Sequence, residues 1–88
     1  MELVWQNNAC EDYIYWQQTD NKILLRINEL IKDCLRSPFK GIGKPEPLKG
    51  NYSGCWSRRI NDEHRLVYKV LQQRLHILQC RFHYKLES

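Results

Sequence analysis

Apolar and polar residues alternate on both sides of a short polar break, and this pattern predicts a β-hairpin over residues 54–70. Two runs that contain β-branched and aromatic residues flank the break, Asn61-Asp62-Glu63, whose residue types favour a turn. If the turn has three residues, the cross-strand partners follow directly. The predicted pairs are Ile60 with His64, Arg59 with Arg65, and Trp56 with Tyr68.

The two faces of this hairpin differ in polarity, because residues that pair across a ladder share a face and successive residues along a strand do not. The face predicted to enter a core carries Trp56, Ile60, Leu66, Tyr68 and Val70. The face predicted to point away carries Ser57, Arg59, Arg65, Val67 and Lys69. Two arginines across a ladder repel each other, so the second face is either a solvated surface or a site for an anion.

Before the hairpin, the pattern predicts two helices. Asn8 followed by Glu11 has the form of a capping box, so a first helix should begin at Asn8 and run to about residue 18. Thr19 and Asp20 offer a second cap, after which apolar residues recur with the 3.6-residue period of a helix face. These apolar residues are Ile23, Ile27, Leu30, Ile31 and Cys34.

Residues 38–53 hold most of the prolines and glycines and predict a long ordered loop, after a helix that Pro38 ends. Long loops in compact domains often carry function. Within this loop Glu46 lies between Pro45 and Pro47, which restrict the backbone. Its carboxylate is therefore either presented from a stiff support or is an ordinary surface glutamate in a turn.

A last strand is predicted over residues 75–84. Its predicted inward residues are Leu78, Cys80 and Phe82, and its predicted outward residues are Gln79, Arg81 and His83. If the turn before this strand has an odd number of residues, Arg65 shares its face with the outward set, whereas an even number would reverse the faces. We adopt the odd turn, since Phe82 and Cys80 then lie behind Leu66 and Tyr68.

Together these elements predict an α+β fold, in which two N-terminal antiparallel helices pack on a small, mainly antiparallel β-sheet. The apolar run at residues 2–5 supplies an edge or first strand. A chain of 88 residues suits one domain, spanning 1–88, and is too small for two cores.

The net charge of +4 and a pI near 9.0 favour an acidic partner, such as nucleic acid or an acidic protein. A membrane is not expected, since the sequence has no long apolar run. The four cysteines are widely separated and form no Cys-x-x-Cys pair, so we expect reduced core thiols in a cytosolic protein and no metal site.

The predicted polar sheet face and the Glu46 loop together supply the groups that break an RNA phosphodiester. The 2′-hydroxyl must lose a proton, the phosphorane gathers negative charge, and the 5′-oxygen must gain a proton as it leaves. A carboxylate such as Glu46 suits the first step, arginine the second, and histidine the third. His83 alone could equally be an incidental strand-end histidine. Phe82 and Tyr84 could stack on an unpaired base.

Four stretches, in order along the chain, resemble the YoeB/Txe toxins of the RelE/ParE superfamily. They are residues 40–49, 53–60, 63–68 and 80–84. The resemblance covers nearly the whole chain, including Leu-Val-Trp near the start and Tyr-Ile-Tyr-Trp-Gln in the first predicted helix. Small departures are Phe82 in place of a common tyrosine, Cys55 in place of a common phenylalanine, and an extension over residues 85–88.

The resemblance implies a toxin of a type II toxin-antitoxin system. Such a toxin is a ribosome-dependent mRNA interferase that cuts mRNA in the ribosomal A site through a 2′,3′-cyclic phosphate. By the resemblance, Glu46 is the general base, Arg65 stabilises the transition state, and His83 is the general acid. The substrate-binding candidates are Lys49, Arg59 and Tyr84, which match family positions, together with Arg81 and Lys44.

The resemblance further implies a YefM-like antitoxin as partner, a homodimer, and no metal or cofactor. An alternative is a non-catalytic toxin of the same fold that binds a protein target, as in the gyrase-poisoning ParE branch. An inert relative that only binds antitoxin is a third interpretation. The joint presence of Glu46, Arg65 and His83 favours the enzyme. A disordered acidic antitoxin segment could cover the basic face.

Overall fold

Two helices pack on a mixed sheet of five strands in the computed structural model, which describes residues 1–83. The elements are β1 (Glu2–Trp5), α1 (Asn7–Thr19), α2 (Asn21–Arg36), β2 (Glu46–Pro47), β3 (Trp56–Arg59), β4 (Arg65–Leu71) and β5 (Arg74–Gln79). The strand order is β1-β5-β4-β3-β2, with β1 parallel to β5 and the other neighbours antiparallel. The predicted α+β class and mainly antiparallel sheet are confirmed.

The first helix begins differently from the prediction. Helix α1 starts at Asn7 with Gln6 as its N-cap residue, and Gln6 makes no side-chain capping hydrogen bond. The predicted capping box of Asn8 and Glu11 is therefore wrong. The start is set by the sheet instead, because the Gln6 N–H donates to the Ile77 carbonyl at 3.0 Å and extends the pairing of β1 with β5 up to the helix.

The second helix follows the prediction closely. The Asp20 carboxylate accepts hydrogen bonds from the N–H groups of Lys22 and Ile23, at 3.0 and 3.2 Å, and so caps α2. The helix ends at Arg36, before Ser37-Pro38, as predicted. The apolar face is buried, with Ile23 partly so and Ile27, Leu30, Ile31 and Cys34 fully so. Neither helix within residues 1–83 has the length and apolar character needed to cross a membrane.

The main core lies between the helices and one face of the sheet. Its buried members include Trp16, Ile27, Leu30, Leu66, Tyr68, Leu75 and Ile77. The hairpin register is the predicted one, with Trp56 opposite Tyr68 and Arg59 opposite Arg65. Ile60 donates its N–H to the His64 carbonyl at 3.0 Å, which confirms the three-residue turn.

A smaller apolar cluster covers part of the opposite sheet face, where the sequence predicted exposed residues. Leu48, Cys55 and Val67 are buried there, with Tyr52 and Leu78 packed against them. Ser57, on the same face, is only 1% exposed. Ser57 and Val67 point away from the main core as predicted, but both are buried on the opposite face, which is therefore not the polar surface that was expected. The reason is local, since the Leu48 N–H donates to the Cys55 carbonyl at 2.9 Å and folds this segment over the sheet.

The turn from β4 to β5 has two residues, Gln72 and Gln73, so the predicted odd-length turn is wrong. Both residues have positive φ values, 52° and 60°, as the tight turns that match strand twist require. Further along, Tyr68 pairs with Ile77 whereas Val67 pairs with Gln79, which leaves one extra residue in β5. This bulge reverses the faces again and returns Gln79 to the face of Arg65.

The bulge and the end of β5 alter the predicted last strand. Strand β5 ends at Gln79, not at residue 84. Of the residues predicted to face inward, Cys80 is buried in the main core, Leu78 packs on the opposite face, and Phe82 is 58% exposed. All four cysteines are free thiols; three are buried as expected, but Cys10 is exposed.

Candidate active site

A cleft of about 130 Å³ on the sheet brings one carboxylate together with three cationic side chains. It is lined by Lys44, Glu46, Ser57, Arg59 and Arg65. The helices cover the other face of the sheet, so this cleft opens away from them. The three positive charges here can bind an anion, and the carboxylate can accept a proton from a neighbouring hydroxyl.

Strand pairing places these side chains on one face. Glu46 lies opposite Ser57 in the pairing of β2 with β3, and Arg59 lies opposite Arg65 in the pairing of β3 with β4. Because Ser57 and Arg59 are two residues apart on one strand, all four side chains point to the same side. Glu46 was expected in a loop folded over the sheet, but it belongs to a short edge strand of the sheet itself. Prolines are tolerated at such an edge.

The turn of the hairpin orients Arg65. Its Nη1 donates to the Asn61 carbonyl at 2.6 Å and to the His64 carbonyl at 3.1 Å. The Asn61 side-chain oxygen in turn accepts the N–H groups of Glu63 and His64, at 2.9 and 2.8 Å. The guanidinium is therefore held in place from one end, and among residues 1–83 its other N–H groups have no hydrogen-bond acceptor, which suits contact with a phosphate.

A buried arginine that the sequence analysis missed supports the segment before Glu46. Arg58 is 0% exposed and donates to the carbonyls of Ser37, Lys40 and Ile42, at 2.6, 3.0 and 3.1 Å. It also donates to the Asp33 carboxylate and, at 3.2 Å, to the Tyr68 hydroxyl. Hydrogen bonds from Arg58, Arg36 and Ile42 lower the pKa of Asp33 to about 2.

This arginine fixes the path of the chain toward the cleft. Just beyond the anchored segment, the Arg59 N–H donates to the Gly43 carbonyl at 2.6 Å, and Lys44 follows with a positive φ of 50°. The alternation rule itself could have found Arg58, since it lies opposite the inward-facing Leu66. The hairpin prediction assigned Arg58 to neither face.

A second cleft, of about 560 Å³, contains the histidine of the predicted site. It is lined by Asn8, Asp12, Tyr52, Gln79, Arg81, Phe82 and His83. The two clefts are neighbours, because the Arg65 N–H donates to the Phe82 carbonyl at 3.0 Å. The predicted residues are thus divided between two adjoining clefts, with Glu46, Arg59 and Arg65 in one and Arg81 and His83 in the other.

Arg81 was predicted to share the sheet face of Arg59 and Arg65, and this prediction is wrong. Its guanidinium is 3.5 Å from the ring centre of Tyr15 on α1 and 4.5 Å from that of Phe82. Within residues 1–83 its buried Nε has no hydrogen-bond partner. The early end of β5 explains the change, because strand alternation no longer applies at this position. Arg81 still lines the same cleft as His83.

The remaining predicted residues lie at or beyond the margins of the clefts. Lys49 is exposed and precedes a short 3₁₀ turn, Gly50–Tyr52, and it lines neither cleft. Tyr84 lies outside the described residues. Among residues 1–83, no group of three or more His, Cys, Asp or Glu side chains is arranged to hold a metal ion.

The fold corresponds to a known class of small bacterial toxins. The solved structure of a YoeB/ParE toxin from Agrobacterium tumefaciens is similar to this chain with a TM-score of 0.94 and 55% identity, covering 96% of this chain and 100% of that one. A heterotetrameric YoeB-YefM toxin-antitoxin complex from Staphylococcus aureus gives a TM-score of 0.87 and 48% identity, covering 96% and 98%.

The sequence comparison narrows this class to one family. Toxin YoeB of Escherichia coli K12 is 60% identical over 84 residues, which are 96% of this chain and 100% of that protein. The family model for the YoeB-like toxin of bacterial type II toxin-antitoxin systems matches residues 5–84. The chain therefore belongs to the YoeB-like toxins, and the resemblance drawn from its motifs is confirmed.

Proposed function

We propose that this toxin is an endoribonuclease that cuts mRNA in the ribosomal A site by acid-base catalysis. The observation that carries the proposal is the cleft that gathers Glu46 with Lys44, Arg59 and Arg65. A carboxylate can accept a proton there while the arginines meet a phosphate. The adjoining cleft supplies His83, which follows the residue whose carbonyl accepts the Arg65 N–H.

In the proposed reaction the carboxylate of Glu46 accepts the proton of the 2′-hydroxyl, whose oxygen attacks the adjacent phosphorus. Arg65 and Arg59 stabilise the negative charge that the phosphorane gathers. His83 gives a proton to the 5′-oxygen as its bond to phosphorus breaks. The products are a 2′,3′-cyclic phosphate and a free 5′-hydroxyl, so no net proton is consumed. DNA lacks the 2′-hydroxyl and is not cut.

The proposed substrate path crosses both clefts. The scissile phosphate lies over Arg65, with Glu46 on one side and His83 on the other. Lys44 lines the first cleft and Arg81 the second, so each is suited to a flanking phosphate. We assign substrate-binding roles to Lys49 and Tyr84 on the family resemblance alone.

For partners, we propose a YefM-like antitoxin, on the model of the Staphylococcus aureus YoeB-YefM complex. The net charge of +4 suits an acidic antitoxin segment that lies over the basic cleft and blocks it. The structure of a YoeB dimer from Staphylococcus aureus has been solved, and we propose that this toxin can also form a homodimer. Action on the ribosome places it in the cytoplasm.

The test is a cell-free translation reaction in which the 3′ ends of the mRNA are mapped with and without ribosomes. The variants are Glu46→Gln and His83→Gln. Each has a matched control remote from the clefts: Glu2→Gln on the far edge strand β1, and His76→Gln on β5. We expect cuts at A-site codons that need ribosomes. General acid or base help is typically worth about 10²–10⁴-fold, so each site variant should slow cutting by about that factor.

Control variants that cut as fast as the wild type would complete the expected pattern. Intact mRNA with folded wild-type toxin would overturn the enzymatic proposal and favour the non-catalytic alternative. DNA gyrase would then be the next target to test.

A further inference from the structure

The turn that carries His83 is held by hydrogen bonds from two other elements, and the proposed reaction does not account for them. We propose that His64 is a positioning residue for the acid: it holds the backbone of Phe82 in the conformation from which His83 is presented to the substrate. This inference rests on the proposed function, since it assigns His64 to the same reaction.

The backbone of Phe82 is the key feature of this turn. Phe82 has a φ of 67°, a left-handed conformation that is unusual for a bulky residue. Its side chain is 58% exposed, so burial of the ring contributes little to keeping it there. Both of its backbone polar groups are bonded: its N–H donates to Nδ1 of His64 at 2.8 Å, and its carbonyl accepts the Arg65 N–H at 3.0 Å.

The imidazole of His64 is itself held firmly. It packs edge-on against Trp16 of α1, with ring centres 4.8 Å apart and planes at 75°. Trp16 is 5% exposed, and its indole N–H donates to the Cys80 carbonyl at 2.8 Å. Oδ2 of Asp12 accepts the Cys80 N–H at 3.0 Å. Helix α1 and the start of β4 thus clamp Cys80 and Phe82, the residues that lead to His83.

The chemistry of this contact defines which substitutions preserve it. Because Nδ1 accepts a hydrogen bond, the His64 ring must be neutral with its proton on Nε2. Asparagine presents an oxygen near the position of Nδ1 and should keep the bond to Phe82. Leucine has a similar bulk but no acceptor, so it should release the turn.

The positioning claim is tested by a double-mutant cycle on ribosome-dependent cutting, with His64→Leu, His64→Asn, His83→Gln and the double variant His64→Leu/His83→Gln. We expect His64→Leu to lower kcat by about tenfold or more, as part of the acid's contribution, with KM nearly unchanged. His64→Asn should stay within about threefold of the wild type. In the His83→Gln background, His64→Leu should have almost no further effect, because the acid it positions is gone.

Amide hydrogen exchange reports the local structure without relying on activity. The Phe82 N–H should exchange faster in His64→Leu and remain protected in His64→Asn. If the leucine variant does not fold, His64→Gln replaces it, since glutamine presents its oxygen farther from the backbone than Nδ1. The same loss of kcat and of protection is expected.

The outcomes separate the two proposals. No cutting by the wild type, or full cutting by His83→Gln, would overturn the proposed reaction. If cutting and its dependence on His83 stand, an equal fold-loss from His64→Leu with and without His83 would overturn the positioning role. So would a fast-exchanging Phe82 amide together with unchanged kcat.

Discussion

The substitution Tyr68→Phe tests how the buried Arg58 network holds the segment that leads to Glu46. Tyr68 is 0% exposed; its hydroxyl donates to the Pro38 carbonyl at 2.6 Å and accepts from Arg58 Nε at 3.2 Å. Removing the oxygen leaves the buried Arg58 Nε–H and the partly buried Pro38 carbonyl without this partner. Each unsatisfied group costs about 1–3 kcal/mol, so we expect the two together to lower the free energy of unfolding by about 2–6 kcal/mol.

The assay is urea or thermal unfolding followed by circular dichroism. For a domain of this size, a loss of that order lowers Tm by about 10 °C or more. Tyr13→Phe is the matched control: it also removes one hydroxyl, which donates to Asn28 Oδ1 on the protein surface, and it should cost about 1 kcal/mol or less. Equal losses from the two variants would refute the argument that burial makes the Tyr68 hydroxyl indispensable.

Two further predictions concern the same region. The folded-state pKa of Asp33 is lowered from 3.8 to about 2, so its contribution to stability is present above pH 4 and is lost as the pH falls toward 2. In urea unfolding from pH 5 to 2, the free energy of unfolding should fall more steeply for the wild type than for Asp33→Asn. Parallel plots of that free energy against pH for the two proteins would contradict this. Gly43 has a φ of +78°, and an added Cβ would lie 2.7 Å from Leu30 Cδ2, so Gly43→Ala should cost roughly 2–5 kcal/mol. Gly54 has a φ of +92°, but an added Cβ would meet no atom within 4 Å, so Gly54→Ala should cost only about 1–2 kcal/mol in the same unfolding assay. Equal costs for Gly43→Ala and Gly54→Ala would refute the role of packing.

The parts of the fold that the sequence predicted are those that local chemistry decides. The turn residues after Ile60 and the alternation around them predict the hairpin, and with it the placement of Arg59 opposite Arg65. The Asp20 cap and the period of the α2 face likewise depend on neighbouring residues. Half of the candidate site follows from this, because strand pairing alone aligns Arg59 with Arg65.

The parts that were missed depend on contacts between distant segments. The bulge in β5 appears only where the strand meets β4, and it changes which face Leu78 occupies. Arg58 is buried because carbonyls from the chain after α2 converge on it. The clamp on Cys80 by Asp12 and Trp16 joins residues more than sixty positions apart. The sequence signal that could have predicted this clamp is Asp12, an acidic residue on the same helix face as the apolar Ala9 and Trp16.

The most direct test of the proposed chemistry concerns the 2′-hydroxyl of the substrate. The measurement compares cutting of one ribosome-bound mRNA with cutting of the same mRNA that carries a single 2′-deoxynucleotide on the 5′ side of the cut. With the 2′-oxygen as nucleophile and Glu46 as its base, the all-ribose mRNA is cut to a 2′,3′-cyclic phosphate and the deoxy-substituted mRNA stays intact at that position. Equal rates of cutting for the two mRNAs would contradict the mechanism.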